Sequence, residues 1–497
     1  MMSSENMHIP DYQIPDSGLQ FLASEDNLYD YRNLYSFAVW FKNTIEPFKV
    51  SEKRPLLIVA DSSDQQVFTI AACWFLQIPF FPLSPAMTDP EIGNVLNKLS
   101  PSAVVADSET KARFRDLPVI QIPKEKLGMM KIVDESQFSS GHPEKCLGYF
   151  LTSGSTGTPK VVPLKRRQIL FGAHASAQNF KPDLNRYWLL CLPINHVGGV
   201  SIILRSLLYH SAVYRMDRFD ADQVITFMSE NTLFQAASLV PTMLNRLINA
   251  SRFQIHKEFQ AILLGGGPIT PSLLEKFAQK GMPVVSSYGM TETCGQIAAN
   301  PLLKPSGIYR PKKSVGGVFA PNEVQIRNED SKVLPANEPG TIWLKGPQVF
   351  DGYFDKRQNK GKFDNDGWFN TGDYGYLNRY DQLFIETRRS DLIITGGENV
   401  IPLEVESALE DLEPVNEAVV VGVPDSEWGQ KIIAFIIPAS GEQPEEEILQ
   451  AELKQKLSPF KIPKRIIPLD SYPLTASGKK DKLRLIHMYD KEYGQVQ

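Results

Sequence analysis

Residues 151–160 read Leu-Thr-Ser-Gly-Ser-Thr-Gly-Thr-Pro-Lys, a dense run of hydroxyls and glycines closed by a cation. Gly154 and Gly157 permit the positive-φ conformations in which successive backbone N–H groups turn toward one point. Ser153, Ser155 and Thr156 add hydroxyl donors and Lys160 a mobile positive charge, so the surface complements a polyphosphate. A flexible Gly/Ser linker has a similar composition. Here the flanks, 146–151 and 161–164, are apolar enough to be strands, which would hold the loop at both ends. In the common P-loop the lysine directly follows the second glycine, whereas Thr158 and Pro159 intervene here. The run is also one residue too short for a nucleophile elbow.

Four further blocks carry polar chemistry. Ser287, Tyr288, Gly289, Met290, Thr291 and Glu292 combine a glycine that lets a flat ring approach the backbone with a hard oxygen suited to Mg²⁺. Asp373 follows Gly372, where a carboxylate could accept both hydroxyls of a ribose or merely cap a turn. Arg388 and Ser390 precede Thr395, Gly396 and Gly397, whose glycines admit a thin substrate. Lys479 follows Gly478 on a turn near the C-terminus. Taken singly, these also read as a surface loop, a turn cap and a solvated lysine.

The elements around these blocks alternate strand and helix up to about residue 300. Strands are expected at 55–60, 80–83, 102–106, 261–264 and 284–286, and helices at 65–76, from Asp89 as N-cap, and at 271–280. Such alternation implies parallel sheets covered by helices, with ligands gathered outside the carboxyl ends of the strands. The loops at 265–268 and 288–292 fall at such ends. From residue 314 the pattern turns β-rich, with paired strands at 323–327 and 341–345 and a hairpin of 374–377 with 383–386 across 378–381. A new α/β segment begins near Asp391, with a helix around 404–409 and strands at 418–423 and 431–437. The expected fold is α/β: a large N-terminal domain of residues 1–388 with parallel-sheet subdomains plus a β-rich subdomain, and a small α+β domain of residues 391–497.

Length and charge narrow the function further. A chain of 497 residues exceeds one ordinary core. A net charge of −5 offers no basic footprint for nucleic acid. The first residues lack the basic and apolar regions of a secretory signal, and the longest apolar stretch, 67–83, is interrupted by Gln77 and Pro79. The four cysteines have no CxxC spacing and the seven histidines no H-E-x-x-H pairing, which points to reduced thiols and a cytoplasmic protein without a metal cage.

All five blocks, in order and over nearly the whole chain, resemble the motif series of the adenylate-forming superfamily of acyl-CoA ligases, luciferases and peptide-synthetase adenylation domains. That resemblance implies ATP, Mg²⁺ and CoA, a two-step reaction through an acyl-adenylate, and a C-terminal domain that rotates between the steps. It implies that Thr152, Ser153, Gly154, Ser155, Thr156 and Lys160 clamp the β,γ-phosphates with Mg²⁺ on Glu292. Gly266, Gly267 and Tyr288 would frame the adenine, Ser287 and Gly289 would belong to the same ATP-binding set, Asp373 and Arg388 would fix the ribose, and Thr291 would contact nucleotide and acid. Lys479 would act in adenylation; Ser390 would be the hinge, although many relatives carry Asp or Lys there, and Thr387 replaces a frequent glycine. Thr395, Gly396 and Gly397 would meet CoA.

Segments 192–209 and 237–247 are similar to those of acid–CoA ligases that act on an aromatic keto acid. By that likeness His196, with Gly198, Gly199, Ser238 and Thr291, would line the acyl pocket, and a histidine buried only for packing remains the alternative for His196. The partners implied are a small carboxylic acid, ATP and CoA, with no nucleic acid and no membrane span; self-association is left open. Another aryl- or fatty-acyl-CoA ligase and a catalytically silent adenylate-binding protein stand as rival readings.

Overall fold

The computed structural model describes residues 13–138, 141–152, 160–248, 255–267, 269–302, 314–388, 391–396, 398–439, 443–475 and 478–493. Two largely parallel sheets carry the first three hundred residues. One has six strands in the order Val119–Ile120, Ala103–Val105, Leu56–Val59, Phe80–Leu83, Cys146–Thr152 and Lys160–Lys165. The last two pair antiparallel, Thr152 opposite Lys160, and so close the phosphate-loop candidate at its base. The other has nine strands, with Tyr187–Leu190, Phe234–Leu239, Ala261–Leu264 and Val284–Met290 running parallel at its centre.

Helices Tyr31–Ile45, Asp64–Leu76, Arg166–Asn179 and Val197–Tyr209 join these sheets in one core that includes Phe68, Trp74, Trp188 and Leu204. Strands such as Leu56–Val59 are buried along their whole length, as a sheet covered on both faces requires. The helix expected after Asp89 as cap begins with Asp89 inside it. Thr88 is the cap, because its side chain and that of Glu91 satisfy each other's backbone N–H groups.

The β-rich part is a four-stranded antiparallel sheet of Glu323–Arg327, Gly340–Lys345, Phe369–Leu377 and Leu383–Arg388. Beyond it, Val415–Asp425 and Gly429–Pro438 form a long hairpin joined in parallel by Arg465–Pro468. Helices Pro402–Glu410 and Glu446–Leu453 pack on one side of that sheet and Lys482–Tyr493 on the other, giving this unit cores of its own around Val405, Leu449 and Leu485. The fold class is therefore mixed α/β with a β-rich subdomain and a small C-terminal α+β unit.

Two segments expected as loops are strands. Residues 288–290 continue strand Val284–Met290 because Tyr288 finds a cross-strand partner in Ala298. Asp373 lies inside Phe369–Leu377, opposite Arg388, because pairing to Leu383–Arg388 runs one residue further on its own strand and two further on the partner than the apolar pattern indicates.

Candidate active site

Strand Val284–Met290 carries Tyr288 to the β-rich sheet, where its hydroxyl donates to Asp373 Oδ2 at 2.7 Å. Arg388 Nε stands 3.4 Å from the other carboxylate oxygen, and the Asp373 backbone N–H donates to Thr371 Oγ1 at 3.0 Å. Burial raises the Asp373 carboxyl pKa, while Arg388 and the Tyr288 hydroxyl act against that rise. The same burial, with the carboxylate beside it, pushes the Tyr288 phenol well above its ordinary value.

Glu292 sits in the short turn Thr291–Thr293 that follows this strand, and Thr291 opens it. The Glu292 carboxylate is buried and accepts from the Tyr353 hydroxyl at 2.7 Å. Lys160 Nζ lies 4.8 Å from the centre of the Tyr353 ring. Strand Lys160–Lys165 thus brings the last residue of the phosphate-loop candidate to the tyrosine that holds this carboxylate. Ser153, Gly154, Ser155 and Thr156 fall outside the described residues, as do Ser390 and Gly397.

Lys479 arrives from the C-terminal unit. Its turn is closed by Thr475 N–H to Lys479 O at 2.8 Å and Gly478 N–H to Thr475 O at 2.9 Å. Thr242 Oγ1, on helix Pro241–Ile248 of the large unit, donates to Gly478 O at 2.7 Å. Burial and then Arg388 lower the Lys479 pKa, with Asp373 and Glu292 pulling the other way. Gly266 has φ +81°, and a Cβ there would stand 3.7 Å from Lys479 Cε and 3.3 Å from Val240 Cγ1. A side chain at that position would be both strained and crowded. Gly267 lies against Pro241, and Ser287 Oγ donates to Leu264 O at 3.0 Å, tying two adjacent strand ends together.

His196 caps helix Val197–Tyr209, its carbonyl accepting Val200 N–H at 3.1 Å. Burial, reinforced by the Lys479 charge, pushes its pKa down to about 4, so the imidazole is neutral at pH 7. Its Nε2 is buried without a hydrogen-bond partner among the described residues.

Along the same helix Arg205 is buried and lines a small cavity with Gly172, Ser176, Ser201, Cys294 and Gln296. The guanidinium lies 4.2 Å over the Trp188 ring and donates to Ser201 O, Ser176 Oγ and Ser238 Oγ at 3.1, 3.3 and 3.4 Å. All of these acceptors are neutral. No carboxylate pairs with Arg205 among the described residues, and Gln296 Nε2 in the same wall is buried without a partner. The wall therefore presents a cation and an unmatched donor, the complement of an anion.

The glycines and hydroxyls of the expected acyl pocket divide. Ser238 already accepts from Trp188 Nε1 at 3.0 Å as well as from Arg205, so it fixes that wall. A Cβ on Gly199 would meet Pro193 O at 2.4 Å, which makes that glycine necessary for the helix start to pack, while Gly198 has only Leu192 nearby at 3.6 Å. A Cβ on Gly289 would collide with Gly295 O at 2.0 Å across the strand pair. Thr395 pairs with Glu398 in a hairpin, and Gly396 packs on Trp428 and donates its N–H to Trp428 O at 2.9 Å, both within the C-terminal unit.

Sequence reasoning missed Tyr353, Thr242 and Lys362. The Lys362 amine would lie 3.8 Å from a Cβ on Gly372, and its pKa is lowered by burial and then by Lys160, with Glu292 and Asp373 opposing. It stands in the basic run Lys356, Arg357, Lys360 and Lys362, which reads as solvated surface. Only the fold turns this one amine inward. A groove of about 340 Å³ runs along the neighbouring strand ends past Ser62, Pro85, Leu192, Asn195 and Arg218 to Gly478.

A carboxylate-and-tyrosine pair, a second carboxylate near two lysines and a lysine from a separate C-terminal unit thus come together, as the resemblance to the adenylate-forming enzymes leads one to expect. Family comparison agrees: the AMP-binding enzyme model matches residues 17–354 and the AMP-binding enzyme C-terminal domain model residues 404–479, so the chain belongs to the AMP-binding enzyme family. Within it, the chain is similar to 2-succinylbenzoate–CoA ligase of Enterococcus faecalis, 32% identical over 89% of this chain and 90% of that one. It is 39% identical to the enzyme of that name from Bacillus licheniformis, over 69% of this chain and 70% of that one. The solved o-succinylbenzoate CoA synthetase of Bacillus subtilis, in complex with its acyl-adenylate intermediate, superposes with a TM-score of 0.81 at 30% identity, covering 94% of this chain and 95% of that one. No helix among the described residues is long and apolar enough to cross a membrane.

Proposed function

We propose that this chain is an ATP-dependent o-succinylbenzoate–CoA ligase, forming o-succinylbenzoyl-CoA, AMP and pyrophosphate through o-succinylbenzoyl-adenylate, as a step of menaquinone biosynthesis in the cytoplasm. The observation that carries the ligase chemistry is the delivery of Lys479 into a site that also holds Asp373, Arg388, Glu292 and neutral His196. The names of the relatives support the acid, and the anion-complementary wall around Arg205 fits a substrate with a second carboxylate.

In the first step a carboxylate oxygen of the acid bonds to the α-phosphorus while the bond from that phosphorus to the bridging oxygen breaks and pyrophosphate leaves. The attacking carboxylate is already ionised at pH 7, so no general base is required. What the site must supply is positioning and positive charge on the phosphate oxygens. Lys479 would bridge the carboxylate and the α-phosphate. Asp373 and Arg388 hold the ribose, and Tyr288 with Gly266 and Gly267 frames the base. Lys160 and the loop before it clamp the β,γ-phosphates.

Mg²⁺ commonly takes one or two carboxylates plus phosphate oxygens, and the buried Glu292 carboxylate, with one oxygen accepting from Tyr353, fits that need. The ion would neutralise phosphate charge. In the second step the CoA sulfur attacks the acyl carbonyl and AMP leaves with the electron pair of the broken bond. For this, residues 391–497 would rotate about Ser390, withdrawing Lys479 and bringing Thr395, Gly396 and Gly397 inward to meet CoA.

ATP–pyrophosphate exchange and thioester formation, measured across o-succinylbenzoate, benzoates and fatty acids, test the reading. Exchange with o-succinylbenzoate, lost in Lys479→Ala, is expected. Activity with fatty acids alone overturns the acid assignment, and no exchange with any acid overturns the ligase.

A further inference from the structure

The hydrogen bond from Thr242 Oγ1 to Gly478 O, 2.7 Å long, joins residues 236 positions apart in the chain. The acceptor is the carbonyl immediately before Lys479, so its position fixes where the lysine backbone begins. Gly478 is also within van der Waals reach of the same patch: a Cβ there would lie 3.8 Å from Val240 Cγ2 and 3.9 Å from Thr242 Oγ1. Val240 in turn lies against Gly266, where a Cβ would stand 3.7 Å from Lys479 Cε. One short segment of the large unit, 240–242, thus meets both the lysine turn and the loop beside the lysine side chain.

We propose that Thr242 is a positioning residue that latches the lysine turn in the arrangement competent for adenylate formation. The inference rests on the assignment of Lys479 to adenylation. Within the turn, the Gly478 N–H and the Lys479 carbonyl are both bonded to Thr475, whereas the Gly478 carbonyl is directed to the large unit. The latch therefore exists only while the turn is docked. Any movement that withdraws Lys479 by more than an ångström or two breaks it, since a hydroxyl hydrogen bond weakens steeply beyond normal length. A contact present in one of two arrangements shifts their populations by its own free energy and leaves the other arrangement's chemistry untouched.

The test is single-turnover kinetics of the two half-reactions in the full-length protein. Thr242→Val keeps the shape and removes the donor. Acyl-adenylate formation from ATP and o-succinylbenzoate is expected to slow about tenfold, the loss of one hydrogen bond in the docked state only. Thioester formation from supplied o-succinylbenzoyl-adenylate and CoA is expected to stay within about twofold, because that step does not use the docked turn. Thr242→Ser retains the donor and should restore adenylation, which a loss caused by misfolding or a packing defect would not do. Unchanged adenylation in Thr242→Val, equal slowing of both half-reactions, or failure of serine to rescue overturns the latch. Lys479→Ala, run beside them, separates the two ideas. If it leaves adenylation intact, the assignment of Lys479 fails. If it abolishes adenylation while Thr242→Val does not slow it, only the latch fails.

Discussion

The Tyr288 hydroxyl donates to Asp373 across 2.7 Å, joining the large parallel sheet to the β-rich sheet at the candidate ribose position. Neither residue could be buried cheaply alone. The carboxylate needs a donor, and the phenol needs an acceptor, so each supplies what the other lacks.

Tyr288→Phe leaves the buried Asp373 oxygen unmatched. A hydrogen bond to a charged group contributes about 1.5–3 kcal/mol, so denaturant unfolding should show a loss of that order. The KM for ATP should rise in the same variant, because the carboxylate would no longer be held at a fixed angle. An unchanged unfolding midpoint would mean that water replaces the phenol without cost.

Among the described residues, Lys160, Lys362, Arg388 and Lys479 outnumber Glu292, Asp373 and Asp391 in this region, an excess of positive charge that suits a polyanion. Lys362→Gln should raise the KM for ATP about tenfold, the scale of one charge-assisted contact, with kcat little changed. Steady-state rates at saturating acid measure it. A fall in kcat with KM constant would show that Lys362 acts on the chemical step instead.

His196 gives the protein a pH dependence of definite sign. It titrates at its ordinary 6.5 when unfolded and at about 4 in the fold. Between those values the unfolded chain binds the extra proton, so the contribution is complete above pH 6.5 and disappears as the pH falls toward 4. The effect amounts to about 3 kcal/mol at most. Unfolding free energies at pH 7.5 and pH 5 should differ less in His196→Asn than in the parent protein. Equal slopes would place the histidine in a more solvated setting.

Gly199 separates packing from binding. An alanine Cβ would press into Pro193 O, and such overpacking costs typically about 1–3 kcal/mol. Gly199→Ala should therefore lower the melting temperature, whereas Gly198→Ala, with room around it, should leave stability within about 0.5 kcal/mol and affect the KM for the acid instead. The reverse pattern would assign the ligand contact to Gly199.

Much of the frame was legible from local pattern. The strand Ala261–Leu264, the helix Pro271–Gln279 and the strands flanking the phosphate-loop candidate follow from apolar runs and caps that act over a few residues. The longer reach of Val284–Met290 and Phe369–Leu377 was not, because it depends on partners such as Ala298 and Arg388 that pair only in the fold. Lys362 shows the same limit: nothing local distinguishes it from the exposed lysines beside it.

The sequence by itself determined which chemistry-bearing groups are at hand: a hydroxyl- and glycine-rich run ending in Lys160, the carboxylates of Glu292 and Asp373, and Lys479 beside a glycine. Those are properties of residue types and short spacings, which the chain carries whether or not it is folded. Tertiary structure alone decided which of them meet. It brought Lys479 to Thr242 and His196, turned Lys362 toward Lys160, and left Arg205 buried against neutral acceptors. Such contacts join residues far apart in sequence, and their strength comes from burial, which exists only once the sheets and helices have packed.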